Sequence, residues 1–233
     1  MRYIKLFLSA FLLLLLIQTA NAQRFEVGGG FGVMNYKGDL APSVNVIHSR
    51  PSANLLLRYN FNPYLSWRNS LVFGFLTAED RNSSDPYLKR RNFTFTGGTV
   101  GLHSMIEYHF FDLWENRKFL NFSPFISAGL AFNSFNSKLK YGSDDRRNEE
   151  FAVSIPLGIG IRKALDLNWS IGLELITYKT FTDNVDGLGE IENATKFQKG
   201  NPNDNDTVYH FGVTISYRFV DIKCPKPIAD RYR

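Results

Sequence analysis

The feature that most constrains this chain is the run Thr207 to Phe219. Tyr209, Phe211, Val213, Ile215, Tyr217 and Phe219 fall on one face; Val208, His210, Gly212, Thr214, Ser216 and Arg218 fall on the other. Such period-two alternation specifies a β-strand with one apolar face and one small or polar face. A soluble sheet would bury the apolar face in a core. A membrane barrel inverts the arrangement, turning it to lipid and the polar face to the lumen. The run slightly exceeds the ~9–11 residues that a tilted barrel strand needs to cross a bilayer. It also ends on an aromatic residue, as closing strands of such barrels do.

The start of the chain bears on the choice. Arg2 and Lys5 precede the apolar run Leu6 to Ile17, and Ala20, Asn21 and Ala22 supply small residues before Gln23. This reads as a secretory signal peptide over residues 1–22, cleaved ahead of Gln23. The run is shorter than the ~20 residues of a spanning helix, which disfavours a membrane anchor. No cysteine stands at the cleavage site, which argues against a lipoprotein. No later stretch approaches a transmembrane helix, leaving the periplasm, the outer membrane or the exterior as destinations.

Between these ends the alternation repeats. Strand one is expected over Arg24 to Asn35, with Phe25, Val27, Phe31 and Val33 outward and Glu26 and Met34 inward. Its glycines leave room inside and let the wall bend. They are not a dinucleotide fingerprint, because no helix follows and the spacing differs. Strand two spans about Ser52 to Asn60, with Arg58 inward. Strand three spans about Tyr64 to Leu76, with Arg68 inward. Strand four spans about Arg91 to Phe110, with His103, Met105 and Glu107 inward. Strand five spans about Ser123 to Phe135. Strand six spans about Phe151 to Arg162, with Arg162 inward. Strand seven spans about Trp169 to Phe181, with Glu174 inward.

The connections read long, short, long, medium, long, short, long, with Asn136 to Glu149 among the long loops and Asp183 to Asp206 the longest. An up-and-down barrel with both ends in the periplasm predicts that rhythm. The expectation is therefore an all-β, eight-stranded antiparallel up-and-down transmembrane β-barrel over residues 23–220. A tail, 221–233, follows on the periplasmic side. Aromatic residues make up 15% of the chain, more than a soluble core needs and enough for barrel girdles.

An eight-stranded barrel is wide enough only for side chains, so it is a filled wall rather than a pore. Glu26, Glu107 and Glu174 are expected to pair with Arg58, Arg68, Arg162 and Arg218 across the lumen, since an unpaired charge there is costly. A proton or substrate path is the functional alternative.

Chemistry is otherwise sparse. The formal charge of +5 falls to about +3 once Arg2 and Lys5 are removed, and no basic run is interleaved with aromatics as nucleic-acid binding requires. His103 and Ser104 are adjacent on one strand, so they face opposite ways and cannot form a nucleophile–base pair. Four scattered histidines and one cysteine show no metal-ligand spacing. No enzyme activity, cofactor, metal or small-molecule substrate is expected. The lone Cys224 stands beside Pro225 in the tail. In an oxidising compartment it reads as an intermolecular disulfide, a reactive thiol or a cysteine left unpaired.

Several short stretches together resemble a known family. They are Tyr36-Lys37-Gly38-Asp39-Leu40; Arg91-Asn92-Phe93; Glu107-Tyr108; Ser123-Pro124-Phe125; Phe181-Thr182-Asp183 with Asp186-Gly187; and Cys224-Pro225. The chain resembles the PorG-type outer-membrane barrels of Bacteroidota, components of the type IX secretion system used for protein export and, in gliding species, motility. The resemblance implies outer-membrane lipid as surroundings. It also implies association with a periplasmic ring of PorK/GldK-type and PorN/GldN-type proteins, with the tail around Cys224 as the natural contact. It implies no catalytic residues. An OmpA-like structural or surface-ligand-binding barrel is the alternative, and a lipid A-modifying enzyme a further one.

Overall fold

The computed structural model describes residues 24–38, 46–82, 86–91, 93–114, 122–141, 144–182, 185 and 206–219. Eight strands account for most of them: β1 Phe25–Lys37, β2 Arg50–Asn60, β3 Leu65–Glu79, β4 Thr94–His109, β5 Phe122–Tyr141, β6 Asp144–Ala164, β7 Trp169–Thr180 and β8 Thr207–Arg218. Each pairs antiparallel with its sequence neighbours, and β8 returns to β1, closing the barrel. The closing seam runs from Glu26 opposite Arg218 to Lys37 opposite Thr207. Full closure leaves no unpaired sheet edge in the wall. The all-antiparallel, up-and-down eight-stranded architecture is as the alternation requires.

Turn chemistry sets one end of the barrel. Between β2 and β3, Asn62 Oδ1 accepts the amides of Tyr64 and Leu65, both at 2.8 Å, while Phe61 N donates to Leu65 O at 2.9 Å. An Asn followed by Pro63 is a sequence built for such a turn. Between β6 and β7, Leu165 N donates to Trp169 O at 2.9 Å and Asp166 Oδ1 accepts from Leu167 N at 2.7 Å. This short-turn end also carries Arg24 and Phe219, the two limits of the described barrel.

Several boundaries differ from the sequence reading. Asn136 to Glu149 is not a loop: β5 and β6 continue as a paired hairpin to Tyr141 opposite Asp144. Its β5 arm is also paired with β4 as far as Lys140 opposite Thr94, with Ser137 and Leu139 buried inward and Lys138 and Lys140 exposed outward, so the outer face loses the apolar pattern that marks a barrel strand. β4 starts at Thr94 rather than Arg91, because Pro86–Arg91 forms a short helix. β3 runs on to Glu79, three residues beyond Leu76. The β5–β6 ladder is interrupted between Ala128 opposite Leu157 and Ala131 opposite Ser154. Pro156 sits in that gap, and with no amide hydrogen it cannot donate to the ladder.

The outer surface is apolar on every strand. Phe31, Leu55, Phe75, Leu102, Leu130, Leu157, Leu173 and Ile215 are all exposed, one from each strand in turn. A protein in water does not leave so continuous an apolar surface uncovered. Near the short-turn end the band ends in aromatic rings. Phe25 meets Tyr59 edge-on at 5.0 Å, Tyr108 meets Phe110 at 5.4 Å, and Trp169 meets Tyr217 at 5.1 Å. Trp67 joins them and donates through Nε1 to Ser104 Oγ at 2.8 Å.

The interior is layered, and one layer departs from the expected small or charged lining. Toward the long-loop end it is an apolar plug that includes Met34, Tyr36, Leu76, Phe95, Phe135, Leu139, Ile176 and Tyr178. These residues are inward by parity, and all but Tyr36 and Leu139 lie within the strand ranges expected from the sequence, so the lumen at this end is apolar where a small or charged lining was expected.

Close strand approach fixes some glycines. A Cβ on Gly129 would meet the Met105 Cα at 2.7 Å and crowd the Ser104 carbonyl oxygen, both backbone atoms that cannot swing aside. Gly129→Ala is therefore expected to destabilise the barrel by about 1–3 kcal/mol through overpacking. Denaturant unfolding in lipid vesicles checks this. A midpoint unchanged from the parent would show that the β4–β5 wall yields freely there.

Candidate functional site

The charged residues of the lumen form one connected cluster in its short-turn half. Period-two alternation sends Glu26, Arg58, Arg68, Glu107, Arg162 and Glu174 inward from β1, β2, β3, β4, β6 and β7, and all six are buried. Barrel closure then brings six different strands to one centre.

Arg58 is the hub. Its Nη1 donates to Glu26 Oε2 at 2.8 Å and its Nε to Glu107 Oε2 at 2.6 Å. Arg68 Nη1 bridges the next pair, 3.1 Å from Glu107 Oε1 and 2.5 Å from Glu174 Oε2. Arg162 Nη2 donates to Glu26 Oε2 at 2.6 Å. Three carboxylates and three guanidiniums thus form a chain ordered Arg162, Glu26, Arg58, Glu107, Arg68, Glu174, with formal charges that cancel. Hydroxyls and an amide complete the shell. Ser170 Oγ accepts from Arg162 Nη2 at 2.9 Å, and Asn60 Nδ2 donates to Glu26 Oε1 at 2.9 Å.

Desolvating ions is expensive, and only short, multiply hydrogen-bonded pairs recover that cost. The cluster meets the condition through charge-assisted bonds, several of them at 2.8 Å or less. Its chemical capacity is that of a cross-brace. Glu107 takes guanidinium donors on both oxygens, Glu26 takes two guanidiniums on Oε2 and the Asn60 amide on Oε1, and Glu174 takes Arg68 on Oε2.

Arg218 stands apart from this chain. Its Nη2 donates to the Leu167 carbonyl at 3.1 Å, and its guanidinium carbon lies 3.8 Å above the Trp114 ring. Among the described residues it makes no ion pair. The reason is position: Arg218 is the last residue of β8, so its side chain emerges at the mouth, past the carboxylates.

Above the ionic layer lies a neutral polar one. His103 Nε2 is 2.8 Å from Asn133 Oδ1, Asn133 Nδ2 donates to Ser154 Oγ at 3.0 Å, and the His103 and Tyr178 rings pack at 4.8 Å. His103 is buried inside while Ser104 turns to the outer surface, where Trp67 engages it. No group of three or more His, Cys, Asp or Glu side chains suited to a metal ion forms among the described residues.

At the opposite end, buried carboxylates fasten the long connections to the wall. Asp206 Oδ1 accepts from the Tyr36 hydroxyl at 2.5 Å and its Oδ2 from Val185 N at 3.0 Å. Asp80 Oδ2 accepts from Phe93 N at 3.1 Å. Neither carboxylate stood out in the sequence, since each looked like one more acid in a hydrated loop. Residues 1–22, expected as a signal peptide, and the tail 221–233 with Cys224 and Pro225 lie outside the described residues.

Three solved structures are similar in fold. Neisserial surface protein A is 13% identical with a TM-score of 0.49, the match covering 84% of this chain and 97% of that one. The attachment invasion locus protein Ail of Yersinia pestis is 13% identical with a TM-score of 0.48, covering 84% and 99%. A major outer membrane protein from Thermus thermophilus is 16% identical with a TM-score of 0.46, again covering 84% and 99%. No curated protein matches the chain. The sequence pattern of one family, described as Domain of unknown function (DUF6089), matches residues 5–227, nearly the whole chain, and the chain belongs to that family.

Proposed function

We propose that this protein is an outer-membrane barrel that conducts no solute, performs no chemistry and serves as a membrane anchor for a protein assembly. The observation that carries this reading is the inverted arrangement: an uninterrupted apolar exterior around a lumen filled by paired ions at one end and an apolar plug at the other. Such an object is stable in hydrocarbon and offers its two ends, rather than its middle, for contact. The short turns and both chain termini then face the periplasm.

The assembly we assign is the type IX secretion machinery, on the strength of the short stretches from Tyr36 to Pro225 that resemble PorG-type barrels. In this role the barrel holds the ring of PorK/GldK-type and PorN/GldN-type proteins to the outer membrane. The tail reaches toward the ring, and Cys224 offers a covalent link to it. Mild detergent extraction of a tagged copy is expected to co-purify those two ring proteins. A high-mass adduct is expected on non-reducing gels and should vanish in Cys224→Ala. Absence of both ring proteins under gentle solubilisation removes the export role. Their presence without an adduct removes only the disulfide.

A second reading, an OmpA-like barrel that stabilises the envelope or binds surface ligands, draws on the β5–β6 hairpin. That hairpin carries Lys138, Lys140, Arg147, Glu149 and Glu150, and among the described residues its β6 arm has no ladder partner in β7 before Ser154. Loss of surface adhesion on shortening the hairpin, with the ring proteins absent from the purification, favours it. Altered lipid A masses on deletion of the protein would favour an enzyme over both.

A further inference from the structure

The short-turn mouth of the barrel contains a cavity of about 290 Å³, lined by side chains of both charge and shape complementary to one chemical group. Three arginines reach it: Arg24, Arg162 and Arg218. Arg162 is neutralised by Glu26, but all three hydrogen bonds it makes with described residues leave from Nη2. Arg24 has one weak bond, Nη1 to the Tyr59 hydroxyl at 3.3 Å. Arg218 rests on Trp114, and its buried Nε has no hydrogen-bond partner among the described residues.

His109 also lines the cavity. It is 3% exposed, and neither ring nitrogen has a hydrogen-bond partner among the described residues; its Nε2 is 3.5 Å from Glu107 Oε2, too far for a hydrogen bond. The one acid among the lining residues, Asp112, accepts the Trp114 amide through Oδ1 at 2.8 Å. With Arg162 paired, the described lining carries two guanidiniums outside any ion pair, Arg24 and Arg218, against one carboxylate.

Buried donors without acceptors are costly, and a planar fork of arginine nitrogens matches a carboxylate geometrically. Phe61, Pro63, Leu113 and Trp114 add apolar walls that suit the methylene stem of an acidic side chain. Membrane lipid is a poor occupant, because Ser66, His109 and Arg162 on the lining are buried on the inner face of the strands. Residues 220–233 carry Lys223, Lys226, Arg231 and Arg233 against Asp221 and Asp230, a net charge of the cavity's own sign.

We propose that this mouth binds a carboxylate presented by another polypeptide, an acidic side chain whose stem packs on Trp114 while Arg24 and Arg218 hold its oxygens. The site stands whether or not the barrel serves protein export, since it rests on the lining alone.

The test uses the full chain in zwitterionic micelles, titrated calorimetrically with an acetylated tri-glutamate peptide, an acetylated tri-lysine peptide and inorganic phosphate. The glutamate peptide is expected to bind saturably and to shift the tryptophan emission of the parent but not of Trp114→Phe, as Arg218 moves. Arg24→Gln and Arg218→Gln should each weaken it about tenfold or more, the loss of a charge-assisted hydrogen bond. Arg24 precedes β1, so its replacement leaves the wall intact and guards against a folding artefact. The lysine peptide should not bind. No saturable binding of the glutamate peptide, unchanged affinity in both variants, or equal affinity for phosphate would each overturn the assignment.

Discussion

Glu107→Gln is expected to cost about 3–5 kcal/mol of unfolding free energy, the range for breaking a buried ion pair while leaving its partner charged. Glutamine keeps the volume, so the loss is electrostatic. Glu107 is the middle carboxylate of the chain, 2.6 Å from Arg58 Nε and 3.1 Å from Arg68 Nη1. Without it, two guanidiniums buried to 1–2% exposure share the lumen with only Glu26 and Glu174 in contact. A domain's whole stability is about 5–15 kcal/mol, so the variant should unfold at markedly lower denaturant and lose the folded band on unheated gels.

The companion variant separates charge from shape. Replacing Arg68 by Met and Glu174 by Leu together removes one charge of each sign and leaves Arg162, Glu26, Arg58 and Glu107 balanced, with Glu107 still held by Arg58. It should lie close to the parent or above it, because apolar substitutes avoid the desolvation cost. Glu107→Gln within about 1 kcal/mol of the parent would mean that the interior is hydrated enough to screen its charges, contrary to a sealed brace.

Val213→Arg tests the other face. Val213 lies midway along β8, between the aromatic Tyr217 and Tyr209, and its cross-strand neighbours Phe31 and Leu173 are exposed too. A guanidinium at the bilayer midplane of a barrel costs about 2–4 kcal/mol, whereas near the interface it costs about 0–1 kcal/mol. Leu165→Arg, in the β6–β7 turn, is the interface control and should change the unfolding midpoint little. The measurement is reversible unfolding from lipid vesicles. Equal effects at both positions, or none at Val213, would deny that the apolar band meets hydrocarbon.

The faces of the strands were legible in the sequence because strand side chains alternate strictly. Once Tyr209, Phe211, Val213 and Ile215 are seen to share a face, the opposite face is settled too. The same parity sent Glu26, Arg58, Arg68, Glu107, Arg162 and Glu174 inward. Parity cannot say which inward residues lie at the same height. That depends on register, the stagger of one strand past its neighbour, which placed Arg58 against both Glu26 and Glu107 and left Arg218 at the mouth on Trp114.

Strand ends were the least readable part, and for a physical reason. The hydrophobic pattern reports only where a strand's outer face is apolar, and it fades where that face turns charged. The β5–β6 hairpin, with Lys138, Lys140 and Glu149 outward, therefore looked like a loop until backbone pairing to β4 and across the hairpin showed it as sheet, with Ser137 and Leu139 buried on its inner face. Asp80 and Asp206 were equally silent, since an acid buried by a long connection has the same local sequence as one in water.

Period, turn residues and composition thus determined by themselves that the chain alternates, how many strands it makes and which side of each is apolar. Closure decided the rest: which charges meet, where the apolar plug sits, and that three arginines converge on one cavity. Those outcomes depend on contacts between residues far apart in sequence, and only the register of a closed sheet sets such contacts.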